Sequence, residues 1–252
     1  MIDDPLFYAL ALPAVLIAGI SKGGYGGGLV IMSVPLMSWS IDPRQAAAIM
    51  LPLLCFMDLF GLASYRKAWD KPNLKMLLPA GVLGVVAGTL TFHLLSTQWI
   101  RLVLGLIALG FTLNHWFGGR KIATQKPISA VTNTIWGSIA GFTSFVAHAG
   151  GPALSVALLP QKLDKTIFVG TTIIFFTVSN YLKIGAYLWL GQFSTQNLIT
   201  SAVLIPLAAL GMWAGLWLHH RTNERAFYRI CYLLLFVTGI KLLYDGLIPL
   251  WV

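Results

Sequence analysis

Apolar runs of about twenty residues recur along this chain, the length a helix needs to cross the roughly 30 Å hydrocarbon core of a bilayer. Six qualify cleanly: Gln45–Tyr65, Met76–Leu95, Trp99–Phe117, Thr166–Leu190, Leu198–Leu218 and Ile230–Val252. None shows the alternation of a membrane barrel strand, so the class is all-α. Of the 252 residues 57% are hydrophobic and 10% charged, against about 25% charged in a soluble domain. That leaves too little polar surface for a water-soluble enzyme, and it excludes a disordered chain or a secreted disulfide scaffold. Cys55 and Cys231 sit inside apolar runs without metal-ligand neighbours and read as buried thiols, not as a disulfide. The first residues, Met1 to Pro5, lack the basic stretch of a cleaved signal. The chain reads as an integral membrane protein, 1–252 forming a single transmembrane domain.

Two further apolar segments are not simple spans. Leu6 to Trp39 is interrupted by Ser21-Lys22-Gly23-Gly24-Tyr25-Gly26-Gly27-Gly28, and Ile128 to Pro160 by Ser144 through Pro152. Each is too long for one crossing and too short for two, and the expectation is a break near its centre.

The basic residues decide how these segments count. Net charge is +9, which by itself could suggest nucleic acid, but the cations are grouped in loops. Arg66, Lys67, Lys71 and Lys75 form one group, Arg120, Lys121 and Lys126 another, Lys162 and Lys165 a third, and Arg221, Arg225 and Arg229 a fourth. If each broken segment is a re-entrant hairpin, all of these fall on one face, and only Arg44 and Arg101 fall on the other. The positive-inside rule makes the basic face cytoplasmic, with six full spans, two hairpins and both termini outside. The charge is then a topology signal, and nucleic acid is not an expected partner.

The halves resemble each other. Pro79-x4-Gly84-x3-Gly88 recurs as Pro206-x4-Gly211-x3-Gly215, and His93 recurs as His220; Asp58 and Tyr65 map onto Asn180 and Tyr187, and Gly26-Gly27 loosely onto Gly150-Gly151. Each half (6–118 and 128–252, linker 119–127) reads as a broken or re-entrant helical hairpin plus three transmembrane helices. An odd number of crossings turns the second copy over, giving two inverted-topology repeats, an architecture that places a substrate site at the midplane. Gly84/Gly88 and Gly211/Gly215 have the small-x3-small spacing of close helix packing.

Irregular backbone inside a bilayer is tolerated only where protein or a water-filled cavity satisfies its peptide groups. The expected half-helices starting near Gly28 and Pro152 would present free N–H groups and a positive dipole end. The candidate substrate-binding residues are therefore Ser21, Lys22, Gly23, Gly24, Gly26, Gly27 and Gly28 at the first break, and Thr143, Ser144, His148, Gly150 and Gly151 at the second. Lys22 deep in hydrocarbon needs a counter-charge or water; it binds an anion, pairs with a carboxylate or snorkels. His148 is either a ligand contact or structural. Asp58 is the one carboxylate well inside a span: a proton carrier, a partner for a lysine such as Lys183, or a neutral acid bonded to backbone. Asn180 and Lys183 are secondary polar positions, and Lys183 could simply snorkel outward. Lys241 and Asp245 have helical pair spacing, and Trp39, Trp69, Trp99, Trp116, Trp189 and Trp251 stand near span ends. No cofactor and no metal site is expected; the partners are a small anion and the lipid bilayer. Oligomeric state is not readable, a homodimer being one option.

Gly19-Ile20-Ser21-Lys22-Gly23-Gly24-x-Gly26-Gly27-Gly28 with Pro35 following, together with Gly141-Phe142-Thr143-Ser144 leading to His148-Ala149-Gly150-Gly151-Pro152, resembles the paired motif of the sulfite exporter TauE/SafE family of membrane permeases. The resemblance covers nearly the whole chain. It implies a multi-pass protein of the bacterial cytoplasmic membrane, not an enzyme, that moves small sulfur anions such as sulfite, sulfonates or sulfoacetate. Export is the easier direction, since an inside-negative potential favours expelling an anion by about 2.3 kcal/mol per charge per 100 mV. An anion channel lined by the same glycines is the alternative.

Overall fold

The computed structural model describes residues 2–91, 97–117 and 129–247, and among them the only regular elements are helices. In chain order these are α1 (Pro5–Tyr25), a 3-10 turn (Gly28–Met32), α2 (Ser33–Met37), α3 (Pro43–Tyr65), α4 (Lys71–Leu90) and α5 (Thr97–Phe117). Then come α6 (Ala130–Ala147), α7 (Gly150–Leu158), a 3-10 turn (Leu159–Gln161), α8 (Lys165–Trp189), α9 (Thr195–Arg221) and α10 (Glu224–Leu247). The chain is all-α, as expected. His93, the linker 119–127 with Arg120, Lys121 and Lys126, and Trp251 lie outside the described residues.

Half of the eight carboxylates serve to start helices. Asp4, Asp42, Asp70 and Asp164 each accept a backbone N–H from the first turn of α1, α3, α4 and α8, and Ser129 and Ser194 do the same for α6 and α9. The Ser40 hydroxyl and the Leu6 N–H hold the Asp4 carboxyl below its ordinary value.

α1, α3, α4, α8, α9 and α10 are long and apolar enough to cross a bilayer. The first of these corrects the sequence reading. Ser21 to Tyr25 continue the α1 helix, so the break falls late, at Gly26 and Gly27, instead of centrally. The return arm is short and irregular, a 3-10 turn and a five-residue helix. In the second segment α6 takes 18 residues and α7 nine, the latter starting at Gly150 and not at Pro152.

Both broken segments come back to the end at which they began. At the first, the Ser40 hydroxyl after α2 donates to Asp4 Oδ2 before α1 (2.7 Å). At the second, Asn133 in the first turn of α6 and Gln161 after α7 both donate to Asn73 Oδ1. The first hairpin opens beside the starts of α3 and α9, where Gln45 Nε2 donates to Asn197 Oδ1 (3.0 Å). The second opens at the other end of the bundle, beside the starts of α4 and α8. That end also gathers the described basic groups: Asp70 N–H donates to Thr171 Oγ1 (2.8 Å), and Lys165 Nζ donates to the carbonyls of His219 (2.8 Å) and Thr222.

Apart from contacts inside each hairpin, the principal helix contacts are α4 with α6, α1 with α9 and α5 with α10, followed by α3 with α9, α3 with α8 and α4 with α8. Exchanging first-half elements for second-half ones maps this set onto itself. Glycines set the closeness of two of these pairs. A Cβ on Gly84 would stand 2.1 Å from the Ser138 carbonyl oxygen, and one on Gly141 2.1 Å from that of Gly81. On the other pair, a Cβ on Gly211 or Gly215 would meet Leu16, Gly19 and Ile20 of α1 at 2.5–3.1 Å. Because the obstructing atoms are backbone, they cannot rotate away. Gly141→Ala should therefore lower stability by about 1–3 kcal/mol or more. Gly185→Ala, at a site with nothing within 4 Å, should be neutral or stabilising by up to about 1 kcal/mol. Melting temperatures in detergent compare them directly; equal melting of the two variants would disprove the packing role.

Trp39, Trp99, Trp116 and Trp189 are exposed at helix ends, whereas Trp69 is half-buried against the core. Cys55 and Cys231 are free and buried, and Lys241 pairs with Asp245. His220 is exposed, as expected for an interfacial residue, but its neighbour His219 is buried, with Nδ1 3.0 Å from the Gly24 carbonyl and its ring edge-on to Tyr65.

Candidate functional site

The turns of the two hairpins meet. A Cβ on Gly151 would lie 2.8 Å from the Gly27 carbonyl oxygen and 3.0 Å from Gly28 Cα, so only glycine allows the tips to touch there. Each turn needs a left-handed residue. The first uses Gly26 and Gly27, at φ of 75° and 78°, and the second uses His148, at φ 51°. Matching bonds close both turns: Gly27 N–H donates to the Ser21 carbonyl (2.9 Å), and Ala149 N–H to that of Thr143 (3.0 Å). This register makes Gly26 the counterpart of His148, and corrects the looser match of Gly26-Gly27 to Gly150-Gly151.

Behind the tips, α3 and α8 present the charged groups. Lys22 Nζ lies 2.7 Å from Asp58 Oδ1, and Asn180 Nδ2 donates to Asp58 Oδ2 at 2.6 Å. The Lys22 ammonium also stands 5.6 Å from the centre of the Phe176 ring. Asp58 is 0% exposed and Lys22 3%, so this is a buried ion pair. The partner of Asp58 is thus Lys22, and Lys183 is elsewhere. One helical turn beyond Asn180, Lys183 is 0% exposed and does not snorkel. Its Nζ donates to the Ser144 carbonyl (3.0 Å), lies 3.1 Å from Ser144 Oγ and donates to His148 Nδ1 (2.9 Å). His148 Nε2 is 3.1 Å from the Ala47 carbonyl. Among the described residues no carboxylate is bonded to Lys183.

A cavity of about 10 Å³ lies between these groups, lined by Lys22, Gly27, Val30, Leu54, Ser144, His148, Gly151, Phe176 and Asn180. That is room for about one water molecule. The structure therefore brings together six of the residues picked from the sequence. Val30, Leu54 and Phe176, which close the cavity, carry no signal distinguishing them from other apolar residues of their helices.

The other candidates hold the scaffold. Ser21 Oγ accepts the Leu29 N–H (3.0 Å), tying down the return arm, and Thr143 Oγ1 donates to the carbonyls of Ile139 (2.7 Å) and Ala149 (3.2 Å). Gly23 and Gly24 are turned to α9, where Cβ atoms would meet the carbonyls of Met212 and Gly215 at 2.7 and 2.5 Å. A Cβ on Gly26 would meet the Phe168 ring, and one on Gly150 the Ala140 carbonyl, whereas Gly28 faces open space. The second break has the nine-residue α7 behind it to supply a dipole; the first has only a 3-10 turn and the five-residue α2.

The sulfite exporter TauE/SafE family model matches residues 11–242. The chain belongs to the sulfite exporter TauE/SafE family. The match spans both hairpins and every residue of the charged cluster. No curated protein and no solved structure matches the chain. As a TauE/SafE member it is a multi-pass membrane transporter of sulfite or related sulfur anions, and not an enzyme.

Proposed function

We propose that this TauE/SafE protein is a secondary transporter that exports small sulfur-containing anions, sulfite or organosulfonates, across the cytoplasmic membrane by alternating access. The two hairpins are re-entrant from opposite faces, the halves 6–118 and 128–252 are inverted repeats, and both termini lie outside. The bonds that return each hairpin to its own end, and the exchange symmetry of the helix contacts, support this reading.

The observation that carries it is the small cavity at the meeting of the two tips, lined by Lys22 and by the Ser144 and His148 that Lys183 bonds from behind. Asp58 answers Lys22, but the Lys183 ammonium is buried among neutral acceptors, which is costly unless an anion answers it. A void of about 10 Å³ is too small for sulfite, so binding has to part the hairpins, as a carrier does and an open pore does not. Substrate then lies between Lys183, His148 and Ser144 on one side and Lys22 and Asn180 on the other, and rocking of one half against the other alternates its exposure.

Thermal stabilisation of the purified protein by sulfite, sulfate, thiosulfate and short sulfonates tests the site. Efflux from proteoliposomes tests the carrier: flux should saturate with substrate and rise with an inside-negative potential. A conductance that never saturates would replace the carrier with a channel. Gly27→Leu should abolish flux while the protein still inserts, because φ of 78° strains any side chain and a Cβ there points at Val30 and Phe176 across the cavity. Normal flux in that variant would take the first tip out of the pathway.

A further inference from the structure

We infer that the site selects substrate by charge, accepting sulfonate-type monoanions and rejecting dianions of the same shape, with Asp58 as the residue that sets this limit. The inference rests on the cavity being the substrate site and adds the class of ion it takes.

Hydrogen-bond geometry assigns the charges. Lys183 Nζ has three neighbours at 2.9–3.1 Å, the Ser144 carbonyl, Ser144 Oγ and His148 Nδ1, which matches the three donors of an ammonium. His148 Nε2 faces the Ala47 carbonyl, a pure acceptor, so Nε2 carries the proton. Nδ1 is then the lone pair that Lys183 requires, and the imidazole is neutral. Asp58 meets a donor at each oxygen, the Lys22 ammonium at one and the Asn180 amide at the other, as a carboxylate does. Its charge cancels that of Lys22. The remaining acidic residues are helix caps, end residues or the partner of Lys241, remote from the cluster in sequence and role.

The cluster therefore carries one net positive charge, and it resides on Lys183, held only by neutral acceptors. A ligand with one negative charge neutralises the buried site. A second charge would stand unanswered in low dielectric beside the Asp58 carboxylate, where Coulomb repulsion is several times stronger than in water. For a sulfur(IV) substrate the form that fits is hydrogen sulfite, not the sulfite dianion. Lys22 lines the cavity but is paired with Asp58; the uncancelled charge is that of Lys183, which stands behind Ser144 and His148 and acts on the ligand through them.

Three solutes share one tetrahedral frame and differ in charge: dimethyl sulfone (neutral), methanesulfonate (one negative charge) and sulfate (two). Stabilisation of the purified protein, titrated with each, should show methanesulfonate binding at least tenfold more tightly than either of the others. In Asp58→Asn the site gains a net charge, and sulfate should draw level with methanesulfonate or overtake it. Lys22→Gln/Asp58→Asn removes both members of the pair, keeps the original net charge, and should restore the methanesulfonate preference. This double variant keeps the test decisive if the single one does not fold. Sulfate binding the unmodified protein as tightly as methanesulfonate overturns the charge limit and leaves the anion site standing. An unchanged preference in Asp58→Asn removes Asp58 as its cause. No response to either anion overturns the charge limit and the substrate site together.

Discussion

Lys22→Met should destabilise the folded protein by about 3–5 kcal/mol, the usual consequence of stranding one member of a buried ion pair. Asp58 is fully buried, and without Lys22 its Oδ1 faces no donor among the described residues; Asn180 answers only Oδ2. Asp58→Leu should cost a similar amount by stranding Lys22, whose remaining neighbour is the Phe176 ring. The double replacement Lys22→Met/Asp58→Leu should recover most of the loss, because two apolar side chains need no counter-charge. Melting in detergent across the four proteins gives the coupling energy. Losses under about 1 kcal/mol in both single variants would mean that the pair is hydrated and contributes little.

Lys183→Gln should have the opposite profile. Its amide retains donors for the Ser144 carbonyl, and no carboxylate loses a partner, so stability should change by no more than about 1 kcal/mol. Anion-dependent stabilisation and efflux should fall by about a hundredfold, the scale of removing one partner from a desolvated, hydrogen-bonded charge contact. A folded variant that still responds to methanesulfonate at unchanged concentration would return the anchoring role to Lys22. The contrast matters: on the proposed mechanism Lys22 chiefly holds the fold and Lys183 the ligand.

Much of the architecture was legible in the sequence. The apolar runs became helices, and the glycines at 84, 88, 211 and 215 pack closely as their spacing required. The described basic loops share one end of the bundle, as topology demands. What could not be read was which polar residues meet. Lys22 and Asp58 lie on different helices with the whole first turn between them, and nothing local marks them as partners. Lys183 is near enough to the end of α8 that snorkelling was a sound expectation; its face was decided by α6 packing across it. A signal was present nonetheless, since Lys183 follows Asn180 by three residues and therefore shares its face. The first break lies later than its glycine content suggests, because glycine does not by itself end a helix, whereas the second falls at His148–Ala149, inside the expected Ser144–Pro152 interruption. In α1, Gly23 and Gly24 remain helical because α9 comes too close for any side chain. The likeness of the two turns is blurred in the sequence for a related reason: where the first turn has Gly26 at positive φ the second has a histidine, which a glycine-to-glycine comparison overlooks.

That histidine joins two requirements that most proteins keep apart. His148 bends the chain between α6 and α7 and, with the same ring, orients Lys183 and grips the start of α3 at Ala47. Any motion that unbends the corner must also rotate the imidazole, releasing the ammonium or the helix. A glycine there would ease the bend but disconnect both; valine or isoleucine would supply neither the curvature nor the lone pair. Among ordinary replacements asparagine and aspartate tolerate the backbone and still offer an acceptor, so on the proposed mechanism ligand binding and movement of the second hairpin would be geared through a single side chain.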